Sequence, residues 1–177
     1  MPTTIRPAHV KDVECLGAIE RAAETLFPEG LLPKTGQTTD PDVFTVAVKS
    51  NHLLIAEVDE TTVGFALHKV VGECLHLAEM SVHPDFGRRG IGRSLVETTL
   101  SSARDRGFPG VSLTTFSHIP WNRPFYERCG FTVLDRTELS AELDQILQEE
   151  NAAGFSNRVA MLARLPWGLP GVRFRSL

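Results

Sequence analysis

A loop rich in glycine and arginine, residues 83–93, is the part of the sequence whose residue types point most directly to chemistry. It follows a predicted strand and leads straight into a helical pattern. A helix start offers unpaired N–H groups and the positive end of the helix dipole, and glycine lets a ligand approach the backbone closely. The loop and the first helical turn carry three glycines and three arginines: Gly87, Gly90, Gly92, Arg88, Arg89 and Arg93. The pattern predicts a phosphate-binding site; the alternative is a glycine-rich turn with solvated arginines.

Two common phosphate-binding motifs do not match this loop. A Walker loop requires Gly-Lys followed by Ser or Thr, and that run is absent here. The dinucleotide fingerprint requires a third glycine where this chain has Leu95. Nucleic-acid binding is disfavoured as well, because the arginine cluster is short and has no interleaved aromatic residues.

Hydrophobic periodicity predicts the elements that must position this loop. Helices are expected over residues 10–26, 90–106, 120–129 and 139–153, and strands over residues 3–6, 53–58, 63–71, 74–82, 111–116, 131–134 and 159–165. Residues 27–41 are expected to form a loop with room for a short helix. Strands that are first antiparallel and then alternate with helices predict an α+β or mixed α/β fold.

The composition is typical of one folded domain. The chain has 177 residues, 42% of them hydrophobic, and a net charge of -4, so an anionic ligand must be met by a local cluster of donors. We expect a domain over residues 1–165 and an irregular tail over 166–177. Three scattered cysteines match neither a disulfide framework nor a zinc site. With no segment that resembles a signal peptide or a membrane span, we expect a cytoplasmic protein.

Two segments together resemble a known family. They are HLAEMSVHPDFGRRGIGRSL, residues 76–95, and WNRPFYERCGF, residues 121–131. These segments are similar to the two signatures of the GNAT superfamily, the acetyl-CoA-dependent N-acetyltransferases, and the order of elements over residues 3–165 is similar too. Gly90 and Gly92 match the family pattern, whereas Gly87 stands where Gln or Arg is usual, which puts one side-chain contact in question.

The resemblance implies a single-domain GNAT fold with acetyl-CoA as its cosubstrate and no metal. Its mixed, mostly antiparallel sheet would be flanked by helices and would open in a V between two central strands. The pantetheine arm would lie in the V like an extra strand, the pyrophosphate would meet the start of the helix, and an N–H near Val82 would polarise the acetyl carbonyl. The implied cofactor-binding residues are Met80, Ser81, Val82, Arg88, Arg89, Gly90, Ile91, Gly92, Arg93 and Asn122.

Acetyl transfer requires a neutral amine, so the reaction calls for a group that accepts the proton of the ammonium. Glu79 matches the position where many relatives place this base; the alternative is a carboxylate that faces solvent or forms a salt bridge. His76 and His118 compete for the role. His76 would point to the opposite face of an unbulged strand, whereas a bulge would change that count. His118 is otherwise an exposed loop histidine.

Tyr126, the single tyrosine, matches the residue that donates a proton to the coenzyme A thiolate in relatives; the alternative is an aromatic residue packed under the sheet. The family commonly has Asn where this chain has Ile119. Asn122, four residues before the tyrosine, is therefore expected either to contact pantetheine or to cap the short helix.

The resemblance implies an N-acetyltransferase that acts by direct attack of a primary amine, through a tetrahedral intermediate. A small-molecule acceptor is expected, with a protein N-terminus or lysine as the alternative, and a homodimer is possible. A different class of function is also open, namely a non-catalytic acyl-CoA sensor. The acceptor pocket is expected from residues 26–40 and from segments near the C-terminus, which contain no charged signature.

Overall fold

The computed structural model describes residues 2–32 and 38–166. Its strands are β1 (Thr3–Pro7), β2 (Leu53–Val58), β3 (Thr61–Val71), β4 (Cys74–Val82), β5 (Gly110–Phe116), β6 (Thr132–Val133) and β7 (Arg158–Arg164). Its α-helices are α1 (Val13–Glu24), α2 (Pro41–Lys49), α3 (Ile91–Asp105), α4 (Arg123–Arg128) and α5 (Ala141–Ala152). Short 3-10 turns lie at Val10–Asp12, Pro84–Phe86 and Arg136–Glu138.

The seven strands form one mixed sheet in the order β1-β2-β3-β4-β5-β7-β6. Every neighbouring pair is antiparallel except β4 and β5, which are parallel. The expectation of a mostly antiparallel sheet flanked by helices is therefore confirmed. Parallel neighbours need a crossover connection, and α3 supplies it between β4 and β5.

β4 and β5 part soon after they pair. Leu75–Leu77 pair with Val111–Leu113, yet β4 continues to Val82 and β5 to Phe116 without further pairing to each other. On their outer sides β4 stays paired with β3, and β5 stays paired with β7, to the ends of both strands. The two strands therefore enclose the predicted V-shaped opening, and each has an unpaired backbone edge that faces it.

Two apolar layers hold the sheet. On one face α3 contributes a buried stripe that packs on the central strands, formed by Ile91, Leu95, Val96 and Ala103. On the other face α1 and α2 cover the sheet with Leu16, Ile19, Phe44 and Ala47. Burying a large aliphatic or aromatic side chain contributes about 1.5 to 3 kcal/mol. These two layers therefore hold the helices against the sheet on both of its faces.

The predicted elements agree with the structure except at one helix. α2 begins with Asp40 as its N-cap, whose side chain accepts a hydrogen bond from the N–H of Asp42 at 2.9 Å, and Pro41 follows at the first helical position. This N-cap and Pro pattern is a helix-start signal that the sequence reading missed. The predicted tail lies outside the described residues beyond Pro166, and part of the expected acceptor loop, residues 33–37, does so too.

Candidate active site

A cleft of about 760 Å³ fills the V-shaped opening. Residues of β4 and β5 line it where the two strands have parted, and α1, the start of α3, α4 and β7 also contribute. Its lining includes all of the predicted site residues except Arg89: Glu79, Met80, Ser81, Val82, Arg88, Gly90, Ile91, Gly92, Arg93, Asn122 and Tyr126. The fold thus gathers residues from both signature segments around one cavity.

The start of α3 has the backbone geometry that the glycine pattern predicts. Gly90 is the N-cap in the left-handed region, at φ +82°, and its carbonyl accepts the N–H of Ser94 at 2.9 Å. Glycine adopts this φ without the strain that a Cβ would bring. Because α3 has 15 residues, its unpaired first-turn N–H groups and its dipole favour an anion here.

The three arginines of this region differ in their surroundings. Arg88 and Arg93 line the cleft, and the Nε of Arg93 also donates to Glu97 at 2.7 Å. The Nη2 of Arg89 instead donates to the carbonyl of Asp85 at 3.1 Å, and its guanidinium lies 5.2 Å from the Phe86 ring centre. The side chain of Arg89 therefore stabilises the loop that precedes the helix.

The inner end of β4 presents free backbone groups to the cleft. The N–H of His83 donates to the carbonyl of Val63 at 2.8 Å, on the side of β3. Backbone N–H groups alternate in direction along a strand, so the N–H of Val82 points the opposite way, toward the opening. A carbonyl oxygen placed there would accept a hydrogen bond from Val82.

A bulge in β4 aims Glu79 into the site. Leu67 of β3 lies opposite Glu79 and His68 lies opposite Leu77, so Ala78 is an extra residue. The Oγ of Ser81 donates to the Oε1 of Glu79 at 2.9 Å, which fixes the orientation of the carboxylate.

Burial raises the pKa of Glu79 to about 7, and the negative charge of Glu20 adds to the rise. A carboxyl group with this pKa accepts a proton near neutral pH better than an ordinary glutamate does.

Tyr126 enters the cleft from α4. Its ring packs between Phe125 and Phe131, with ring centres 5.0 and 5.8 Å away. Burial raises the pKa of the Tyr126 phenol well above its ordinary value, and the charge of Glu79 adds to this, so the hydroxyl stays protonated. Among the described residues this hydroxyl has no hydrogen-bond partner, and Tyr126 lines the cleft. It is available as a hydrogen-bond donor to a ligand.

The structure separates the competing histidines from the cleft. His76 is buried, its Nδ1 lies 2.9 Å from the Oγ of Ser112, and burial lowers its pKa to about 3. His118 is exposed and packs edge-on against Phe116 outside the lining of the cleft. Asn122 is the N-cap of α4 but its side chain makes no capping bond, which leaves the amide free toward the cleft.

Sequence reasoning missed a second set of cleft residues. Glu20 of α1 is 9% exposed and accepts hydrogen bonds from the N–H and Oγ1 of Thr39 at 3.0 and 3.1 Å. A signal was present, because Glu20 follows Leu16 by one helical turn and so lies on the apolar face of α1. Arg158 and Glu150, joined at 3.0 Å, also line the cleft, but only the tertiary fold brings β7 and α5 to it.

A family model for the acetyltransferase (GNAT) family matches residues 18–131, which include both signature segments and the whole of β4, α3 and α4. This chain belongs to the GNAT acetyltransferase family. The predicted family and its enzyme class are thereby confirmed. The match ends at Phe131, the aromatic residue that supports Tyr126, so it spans both sides of the cleft.

Relatives of this acetyltransferase agree with the fold. A thialysine N-epsilon-acetyltransferase of Caenorhabditis elegans is 24% identical over 143 residues, or 76% of this chain and 84% of that protein. The N-acetylglutamate synthase of Neisseria gonorrhoeae, solved with coenzyme A and N-acetyl-glutamate, superposes with a TM-score of 0.70 at 23% identity. The match covers 94% of this chain but 36% of that one. The PaiA N-acetyltransferase of Thermoplasma acidophilum, solved with coenzyme A, superposes with a TM-score of 0.67 at 17% identity. That match covers 93% of this chain and 100% of the other.

No group of three or more His, Cys, Asp or Glu side chains in residues 2–32 and 38–166 is placed to hold a metal ion. No helix within the same residues is long and apolar enough to cross a bilayer.

Proposed function

We propose that this GNAT acetyltransferase moves the acetyl group of acetyl-CoA onto the primary amine of a small molecule. The observation that carries the proposal is the cleft itself. One cavity holds the unpaired edge of β4, the start of α3, a carboxylate with a pKa of about 7 and a free phenol. The small-molecule acceptor follows the thialysine acetyltransferase named among the relatives.

Acetyl-CoA fits the groups that line the cleft. Its extended pantetheine arm carries amides that can pair with the free backbone of Met80 to Val82, as an added strand does. Its pyrophosphate suits the N–H groups that follow Gly90, with Arg88 and Arg93 as charged donors. Asn122 would contact the arm beside α4.

The side chains of the cleft divide the proton transfers between them. Glu79 accepts the proton that the acceptor ammonium must lose before its nitrogen attacks the acetyl carbon. The N–H of Val82 stabilises the oxygen of that carbonyl as negative charge develops on it. Tyr126 donates a hydrogen bond from its hydroxyl to the sulfur as the carbon–sulfur bond breaks, and because its pKa is raised the phenol keeps its proton while the sulfur leaves as a hydrogen-bonded thiolate. The second proton, which the attacking nitrogen loses as the amide forms, passes to solvent.

Release of free coenzyme A tests the proposal. The protein is mixed with acetyl-CoA and a panel of small primary amines, together with peptides that offer an N-terminal amine or a lysine. We expect thiol release that depends on a small amine, and a loss of about 10²-fold or more in turnover for Tyr126→Phe and for Glu79→Gln.

Glu73→Gln is the matched control, because Glu73 is exposed in the turn at the opposite end of β4. It should leave turnover unchanged. Binding of acetyl-CoA without thiol release for any amine would instead identify a sensor. Release with the peptides alone would identify a protein acetyltransferase.

A further inference from the structure

Four aromatic side chains line one part of the cleft and contact each other in a row. The Phe27 ring lies 5.8 Å from Phe116 and 6.5 Å from Trp121, and Phe116 lies 6.4 Å from Phe155, measured between ring centres. All four rings line the cleft, and they come from four segments other than the α3 start. We call this set the aromatic wall. Such a wall buries a flat apolar group well, through area and ring–ring contacts.

The cation beside the aromatic wall is already neutralised. Arg158 donates from Nε and Nη2 to the two oxygens of Glu150, both at 3.0 Å, and Nη2 also reaches the Oγ1 of Thr114 at 3.0 Å. Its guanidinium stacks over the Phe116 ring at 4.6 Å. A guanidinium held this way completes the wall and has no unmatched charge to offer a ligand carboxylate.

The remaining arginines of the lining belong to other parts of the cleft. Arg88 lies in the loop before α3, Arg93 lies in α3 and Arg128 lies at the end of α4. The part of the cleft formed by the wall therefore lacks a free cation among the described residues.

Glu20 brings a negative charge to the cleft. Its carboxylate is 9% exposed, lines the cleft and is held only by the N–H and hydroxyl of Thr39, with no salt bridge to a described cation. A buried carboxylate is costly unless a positive partner is present. Glu20 and Glu79 line the same cleft, and the negative charge of Glu20 helps to raise the pKa of Glu79. A cation bound at Glu20 would therefore lie in the same cavity as the base.

We propose that the acceptor is a primary amine on an aromatic body with no carboxylate beside the amine, held by its ammonium at Glu20 and by its ring at the aromatic wall. This inference rests on the proposed function and names the substrate class of the same site. An α-amino acid would bring a carboxylate to a region whose arginine is occupied and whose free groups are acidic. An aromatic cage also stabilises a cation near its ring faces.

Matched acceptors test the substrate class. The reference acceptor is 2-phenylethylamine. Phenylalanine adds a carboxylate beside the amine, and propylamine has a methyl group in place of the phenyl ring. We expect kcat/KM for 2-phenylethylamine to exceed that for propylamine by about 10- to 100-fold, the scale set by burial of one phenyl ring. We expect phenylalanine to be the poorest of the three acceptors.

Variants test whether the aromatic wall and Glu20 bind the acceptor. Trp121 is 47% exposed, so Trp121→Ala should fold, and it should reduce the preference for 2-phenylethylamine over propylamine about tenfold. Glu20→Gln should raise KM for every amine. Val46→Ala is the control, because Val46 is 64% exposed on α2 and lies away from the lining of the cleft.

Equal or better turnover of phenylalanine or propylamine would overturn this inference and leave the proposed function intact. An unchanged preference in Trp121→Ala would also overturn it. Absence of thiol release with every amine, while acetyl-CoA still binds, would overturn the proposed function and this inference with it.

Discussion

The pKa of Glu79 predicts a specific pH profile for amine acetylation. With a pKa of about 7, Glu79 is about 9% ionised at pH 6 and about 91% ionised at pH 8. If the ionised form is the base, kcat/KM rises about tenfold between these two pH values and reaches a plateau above pH 8. An ordinary glutamate would already be ionised at pH 6 and would give almost no change over this interval.

The assay follows coenzyme A release from pH 5 to pH 9 with the primary amine far below its KM. Glu20→Gln removes the like charge beside Glu79, so the rising limb should move to lower pH, whereas Glu73→Gln should leave it in place. A rate that climbs tenfold per pH unit through pH 9 would contradict a catalytic base with a pKa of about 7. It would show that the enzyme takes only the neutral amine from solution, where an alkylammonium has a pKa of about 10.4.

Three further predictions concern the framework of the site. Glu79→Gln should raise the free energy of unfolding at pH 8: the folded-state pKa lies above the unfolded one, so the wild-type protein loses stability as pH rises from about 4.5 to about 7, by at most about 3 kcal/mol. Denaturant titrations at pH 5 and pH 8 should give a much larger difference between variant and wild type at pH 8 than at pH 5. Gly90→Ala should cost about 1 kcal/mol of stability, because φ is +82°; no neighbour would contact the new Cβ, so the cost comes from the backbone alone. The strained helix start should also weaken coenzyme A binding in calorimetry. Gly64→Ala should lower both thermal stability and turnover, since its Cβ would lie 2.9 Å from the carbonyl oxygen of Ser81 and push the inner end of β4 outward; an unchanged melting temperature would contradict this.

Local signals predicted most residues of the proposed cofactor side of the cleft. The glycines and arginines before α3 lie within one short segment, and the conformation of Gly90 depends on its immediate neighbours. Glu79 and Tyr126 were found through the family resemblance, and the structure places both in the cleft, although their roles stay predictions. The bulge at Ala78 could not be read from the strand pattern, because it depends on the register of β4 against β3.

The proposed acceptor side depends on residues far apart in the chain. Glu20, Trp121 and Arg158 come from α1, the segment before α4 and β7, and only the packing of these elements around the sheet brings them to one cavity. The pairing of Arg158 with Glu150 likewise needs α5 to lie against β7.

The family of this protein could be predicted from the sequence alone, because the glycine and arginine pattern before α3 and the alternation of strands and helices are encoded by neighbouring residues. The proton affinity of Glu79 and the charge of the proposed acceptor pocket depend on the tertiary structure. Those properties come from burial and from charges on separate elements: Glu79 is an ordinary glutamate until the sheet buries it near Glu20.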